Sequence, residues 1–324
     1  MVVVCGGEWM SGSRVSRSPP IPSKCSNHSL SSSSSSSTSS NNNYRPVVIL
    51  PGLGNNSGDY LKLEQTLNEK YGLSTVVAKV SRLDWLRNAS GLIDANYWRG
   101  TLEPTPVLDW YLERVNDAVE EAKAKELGGD SNTTLSLIGH SAGGWLARLY
   151  MQQFGVSHIS LLLTLGTPHL PPPKGVIDQT RGLLDYVQKY CSPPVYTPQL
   201  KYVCIAGRYI EGAPLFGKSN PNVEAVVPSN SSDQLLPDAA IASTSLPNNT
   251  TLRARFIGQG YKQVCGQADV WGDGVVPEVS AHLEGALNIS LDGVYHSPVG
   301  SDDAIRPWYG SPGVLEQWIE HLFN

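Results

Sequence analysis

The sequence is short of the residues that make redox or metal centres. Five cysteines occur in 324 residues, at positions 5, 25, 191, 204 and 265, and none forms a Cys-x-x-Cys pair. Neither a zinc ribbon nor a thioredoxin-like motif is therefore encoded. Cys204 lies in an apolar run and reads as core. Long hydrophobic runs are missing too. No stretch of about 18 apolar residues occurs, so no membrane-spanning helix is predicted. Acids are nearly absent from residues 1–43, where Glu8 stands against Arg14, Arg17 and Lys24 and serine fills 16 positions. Such a segment cannot bury enough apolar surface to order itself. Its bias predicts a disordered transit-peptide-like leader directing import into a chloroplast, or alternatively a mitochondrion. The sequons at Asn132 and Asn249 would matter only in a secreted protein. Without the leader, 21 basic residues face 28 acidic ones, and an acidic body of net charge −7 excludes a nucleic-acid binder as the natural reading.

What is present is an alternation of apolar runs and amphipathic stretches over residues 44–324. Val47–Leu50, Thr75–Val80, Leu135–Ile138, Ile159–Leu165, Tyr202–Ala206 and Leu287–Leu291 read as strands, most of them apolar throughout, as parallel strands buried on both faces are. Helical spacing marks Tyr60–Tyr71, Pro106–Lys125, Gly143–Phe154 and Val314–Phe323, with Gly155 as a C-terminal stop. Pro106 suits a first helical turn. The pattern predicts an α/β fold, a mostly parallel sheet with helices on both faces. Residues 209–251 break the rhythm and read as a lid-like insertion. Leu183-Leu184 and Leu215-Phe216 are apolar islands that could cover an acyl chain.

The stretch Gly139-His140-Ser141-Ala142-Gly143 stands between a predicted strand and a predicted helix. A strand that turns at once into a helix crowds the backbone, so the positions two before and two after the apex must be small. Gly139 and Gly143 are, and Ser141 is the apex. The amide-rich helix start favours a developing anion. The stretch lacks the lysine of a phosphate loop and the spacing of a dinucleotide site. Serine needs a base. Of seven histidines, His28 falls in the leader, His140 inside the elbow, His158 before a strand, and His282 and His321 in predicted helices, where they read as solvated surface residues. His169 and His296 both follow strands. Where serine sits on such an elbow, the acid and the histidine follow it in that order. His296 is late enough, and Asp273, between Gly272 and Gly274, supplies the acid. Asp269 and Asp292 are weaker candidates. His169 precedes any suitable acid and reads as a pocket-wall or structural residue.

Four motifs together, GHSAGG, LGTPH after the next strand, GDGVVP around the acid and the late YHSP histidine, resemble the lipase-like branch of the α/β-hydrolases. Over roughly Pro46–Phe323 the chain is similar to plant plastid-type hydrolases related to the GPI inositol-deacylase catalytic domain. The resemblance implies a serine esterase or lipase with Ser141, Asp273 and His296 as its triad. By position, the backbone amides of Leu53 and Ala142 would form the oxyanion hole. It implies no metal and no organic cofactor. The implied partner is a small-molecule or lipid ester, with peripheral membrane contact for a lipid substrate. An acyltransferase using the same triad and a non-catalytic binding protein of the same fold are the alternatives. Where many lipases carry His-Gly before the oxyanion loop, this chain has Pro51-Gly52, which leaves the support of that loop to be found.

Overall fold

The computed structural model of the protein describes residues 45–125, 134–215 and 252–323. The apolar runs become β1 (Val47–Leu50), β2 (Thr75–Val77), β3 (Leu135–His140), β4 (Ile159–Leu165) and β5 (Lys201–Arg208). A short antiparallel ribbon, β6 (Ile210–Glu211) with β7 (Trp271–Gly272), precedes β8 (Leu287–Asp292). Six strands form one all-parallel sheet in the order β2-β1-β3-β4-β5-β8. Both faces are covered, and the side chains alternate between two cores. Val48 and Leu50 of β1, Leu137 of β3, Leu162 of β4 and Cys204 of β5 enter one core. Val47, Ile49, Ile138, Leu163 and Ile205 enter the other. Each fully buried aliphatic side chain contributes roughly 2 kcal/mol, so the alternation fixes the register: a one-residue slip would exchange the two cores.

The helices are α1 (Leu61–Glu69), α2 (Ala95–Arg99), α3 (Asp109–Lys125), α4 (Ala142–Phe154), α5 (Leu183–Tyr190), α6 (Leu252–Cys265), α7 (Glu278–Ala281) and α8 (Pro312–Leu315). The first core packs residues of α3, α4 and α5 against the sheet; the second packs α1 and the segment from Trp308 to Leu322. The chain runs from β1 outward to β2 and then returns past β1 to β3. The carboxyl ends of β1 and β3 therefore diverge side by side, which opens a crevice at the sheet edge.

Several expectations need correction. The helix expected from Pro106 begins at Asp109, because residues 104–108 form a separate turn closed by the Leu108 amide on the Pro104 carbonyl. β2 ends at Val77, where Ser57 takes over as partner: its Oγ donates to Ala78 O and accepts from the Val80 amide. The C-terminal helix expected over 314–323 is split into α8 and a 3-10 turn, Ile319–Leu322. The break lets the Trp318 indole insert fully and donate to the Tyr309 carbonyl at 2.9 Å. Residues 210–213, expected to belong to the insertion over 209–251, are tied to the body instead: Ile210–Glu211 pair with β7, and the Ala213 amide binds the Ala254 carbonyl. Residues 216–251 lie outside the described residues, as do the leader, Asn132 and Asn249. Leu183 and Leu184 are core residues of α5, not a cover for an acyl chain. His282 and His321 are half-buried rather than solvated, and burial lowers both pKa values.

Candidate active site

β3 runs on to His140 and α4 begins at Ala142, so Ser141 alone makes the turn between them. Its φ of 52° and ψ of −128° lie where L-residues are strained, at a cost of about 1–3 kcal/mol. Among the described residues only Arg181 shares a positive φ without being glycine. Hydrogen bonds on both sides hold the turn: the Ser141 amide to Leu165 O at 2.9 Å and the Gly144 amide to Ser141 O at 3.1 Å. Close packing explains the small residues. A Cβ on Gly139 would strike the backbone of Gly144, and one on Gly143 would strike the carbonyl of Leu50.

The strained turn aims Ser141 at the loop after β8. His296 Nε2 stands 3.1 Å from Ser141 Oγ, and His296 Nδ1 stands 2.7 Å from Asp273 Oδ2. A carboxylate can only accept, so Nδ1 carries the proton and Nε2 is bare toward the serine. Asp273 is fully buried, and its remaining acceptor capacity is filled. Oδ1 accepts from the amides of Val275 and Val276 at 3.0 and 2.7 Å, and Oδ2 also accepts from Tyr309 Oη at 2.9 Å. Tyr309 in turn accepts from the Gly207 amide at 2.8 Å. Burial, and then the Asp273 charge, push the Tyr309 phenol well above its ordinary range, so it stays a donor. Asp269 is exposed. Asp292, on the surface, pairs with Arg208 at 3.4 Å. Neither approaches the histidine.

The loop after β1 reaches the same place. A Cβ on Gly52 would lie 2.7 Å from the Cβ of Ser141, so no larger residue fits there. Residues 52–55 form a turn closed by the Asn55 amide on Gly52 O at 3.1 Å, with Gly54 at φ 77°. Among the described residues, the amides of Leu53 and Ala142 find no protein acceptor. An unfilled pair of donors beside a serine is what an oxyanion site requires.

The support that replaces the missing histidine is a pair of tyrosines. Tyr111 Oη donates to Pro51 O at 2.7 Å, and Tyr60 Oη accepts from the Gly52 amide at 2.9 Å. Both ends of the Pro51–Gly52 peptide unit are thus pinned. Tyr60 Oη also lies 2.7 Å from His140 Nδ1, and His140 Nε2 lies 2.9 Å from the His296 carbonyl. The carbonyl can only accept, so His140 holds its proton on Nε2 and Tyr60 donates to Nδ1. Burial, with the neighbouring His296, lowers the His140 pKa to about 3 and keeps it neutral. One chain of hydrogen bonds therefore runs from the loop after β1, through the elbow, to the loop that carries His296. In the sequence His140 is legible only as part of the elbow, and Tyr60 and Tyr111 only as helical positions. Nothing local marks the three as polar partners: apart from the Tyr60–Gly52 bond, which spans eight residues, their bonds cross 60 to 156 residues of sequence.

His169 takes the structural alternative of its two readings. It is fully buried, with Nε2 3.1 Å from Thr164 Oγ1 and 3.7 Å from Cys204 Sγ. Its partners are Thr164, Cys204 and, through its amide, the Ser280 carbonyl, and none of them is Ser141, Asp273 or His296. No group of three or more His, Cys, Asp or Glu side chains among the described residues is placed to hold a metal ion, and no helix among them is long and apolar enough to cross a membrane.

The tyrosine clamp makes an expected result. Tyr60→Phe leaves the Gly52 amide and His140 Nδ1 buried without partners, which costs about 1–3 kcal/mol. For a domain of this size thermal unfolding should fall by roughly 2–10 °C. Leu61→Ala, on the exposed side of the same segment, should change it by less than about 2 °C. Equal melting of the Tyr60→Phe protein and the wild type would remove the clamp from the account.

Residues 93–197 match the family model of the PGAP1-like alpha/beta domain, a span that holds the elbow but neither Asp273 nor His296. No curated protein matches the sequence. Among solved structures, the mature lipase BlEst2 of Bacillus licheniformis is 15% identical over 87% of this chain and 92% of its own, with a TM-score of 0.43. LpqC, a poly(3-hydroxybutyrate) depolymerase of Bordetella parapertussis, is 16% identical over 79% of this chain and 76% of its own, with a TM-score of 0.39. The methylesterase MES16 of Arabidopsis is 14% identical over 51% and 78%, with a TM-score of 0.28. The parallel sheet with helices on both faces, and a serine turned out between β3 and α4, give this chain the α/β-hydrolase fold, and residues 93–197 carry its likeness to the PGAP1-like alpha/beta domain family.

Proposed function

We propose that the protein is a serine hydrolase of carboxylic esters, lipid acyl esters foremost, working through an acyl-enzyme. The observation that supports this reading is the unbroken hydrogen-bond line Ser141 Oγ, His296 Nε2, His296 Nδ1, Asp273 Oδ2. Ser141 Oγ attacks the acyl carbonyl carbon while its proton passes to His296 Nε2. The carbonyl oxygen becomes an oxyanion facing the amides of Leu53 and Ala142, each such donor being worth about 3 kcal/mol. The ester C–O bond then breaks, and His296 returns the proton to the departing alkoxide. Water repeats the sequence on the acyl-enzyme and frees the carboxylic acid. Asp273 keeps His296 in the Nδ1–H tautomer and stabilises the transient imidazolium.

The test is product analysis with purified protein on acetyl and palmitoyl esters, with and without an added alcohol. Equal release of alcohol and free acid is the expected result. A new ester formed at the expense of acid would make the protein an acyltransferase. Absence of turnover on every ester, together with absence of covalent labelling of Ser141, would leave a binding protein with an idle triad.

A further inference from the structure

The segment after β2 buries one side and leaves an unusual other side. Residues Arg82–Ile93 form a twelve-residue 3-10 helix, capped by Ser81, which accepts from the Asp84 amide while Asp84 Oδ2 accepts from the Ser81 amide at 2.9 Å. In a 3-10 helix every third residue falls on the same side. Trp85, Asn88 and Gly91 face inward. Trp85 Nε1 donates to Asn55 O at 2.8 Å and its ring packs on Trp110 and Tyr111, while Asn88 Oδ1 accepts from Trp110 Nε1 at 2.9 Å. Leu83, Leu86, Ala89 and Leu92 then share the outer side.

That outer side is open to solvent. Leu83 is 75% exposed, Leu86 69% and Leu92 46%; Ile93, which falls on the Arg87 side of the helix, is 92% exposed and Trp98 69%. Trp98 continues the stripe, tied to its end by Nε1 donating to Leu92 O at 3.0 Å. At about 2 Å per residue the leucines alone extend roughly 18 Å. So many large apolar side chains facing water on one short segment mark a contact surface rather than ordinary exposure.

The charges identify the partner. Over residues 82–99 the exposed charged side chains are Arg82, which pairs with Asp59 at 2.7 Å, Arg87, which lies 3.6 Å from Asp84, and Arg99, for which no ion pair is found among the described residues. The two acids of the stretch are half-buried as caps, Asp84 at the 3-10 helix and Asp94 at α2, where it accepts from the Asn96 amide at 2.8 Å. Arg181, over the Tyr97 ring at 4.8 Å, adds a cation at the far end. A chain of net charge −5 has thus set an apolar stripe rimmed by arginine on one face. A leucine, isoleucine and tryptophan face with arginines beside it suits the boundary of an anionic lipid surface, where aliphatic groups enter among the acyl chains and cations meet the headgroups.

We propose that residues 82–99 dock the protein on an anionic lipid bilayer. The Trp85–Asn55 bond ties this face to the turn carrying Leu53, so docking holds the crevice beside Ser141 at the lipid surface. Binding itself does not depend on the hydrolase reading, and the two can fail separately.

The test is sedimentation of the full chain, as Ser141→Ala to prevent turnover, with vesicles of phosphatidylcholine alone or mixed with phosphatidylglycerol. Strong binding to the mixed vesicles and weak binding to the neutral ones is expected. Leu83→Ser/Leu86→Ser/Ile93→Ser should lower the vesicle affinity at least tenfold, and these exposed sites leave thermal unfolding unchanged. Arg87→Gln/Arg99→Gln should remove most of the preference for the anionic vesicles, on the order of tenfold. Absence of wild-type binding to either vesicle, or unaltered binding by both variants, overturns the proposal. So does a concentration-dependent dimer that the serine variant dissolves, which would make the stripe a contact between copies of the chain. If the serine variant melts early, the arginine variant alone decides.

Discussion

Ser141→Ala is expected to lower kcat for ester hydrolysis by about 10⁶-fold while the protein melts within about 1 °C of wild type. The magnitude follows from the way a relay of this kind fails when the nucleophile is removed: the remaining groups act on nothing, and only the oxyanion donors and binding retain a residual effect. The stability follows from the geometry. Alanine must adopt the same φ of 52°, but serine is strained there too, and the lost contact is a single hydrogen bond to His296 at 3.1 Å. A fluorophosphonate probe should label the wild type at Ser141 and leave the variant unlabelled. Labelling retained at a second serine, or turnover reduced by less than about a hundredfold, would move the chemistry elsewhere.

Asp273→Asn should cost about 10⁴-fold in kcat. Asparagine keeps an oxygen for the amides of Val275 and Val276, which anchor Oδ1 of the native aspartate at 3.0 and 2.7 Å. Its nitrogen then faces His296 and Tyr309, where both partners donate in the native site. The imidazole must move its proton to Nε2, the position that has to be bare for Ser141. Tyr309 loses its acceptor as well, so a stability loss of about 1–3 kcal/mol accompanies the change. Nitrogen-15 spectra of the histidine side chains should report the tautomer switch directly. A variant that keeps Nδ1–H and at least a tenth of the wild-type rate would mean that Asp273 is a structural acid.

Much of this fold is written in the sequence, and the reason is burial. A parallel strand covered on both faces must be apolar throughout, so β1, β3, β4 and β5 announce themselves. The elbow does so because its crowding demands glycine at 139 and 143. Other elements lack such signals. The 3-10 helix Arg82–Ile93 repeats every three residues and buries only Trp85 and Gly91 fully, which no 3.6-residue pattern finds. The buried side of α6 consists of Ala254, Gly258 and Tyr261, too small and too mixed to read as an apolar stripe. Tyr60, Tyr111 and Tyr309 are least legible of all. In sequence each is an aromatic core residue, and its polar work is decided by a partner brought from far along the chain.

The clamp and the acid's support have a consequence for the life of the molecule. Gly52, Ser141, Asp273, His296, Tyr309 and Trp318 each supply a piece of one site, and the last pieces join it through the Tyr309–Asp273 and Trp318–Tyr309 bonds. Folding during synthesis begins with the earlier segments. A polypeptide still growing on the ribosome can complete the sheet through β5 and expose its serine while the acid and the base have yet to be translated. Under the proposed function the relay is complete only when the segment carrying Asp273, His296 and Tyr309 docks, and until that moment the nascent chain holds a serine with neither acid nor base.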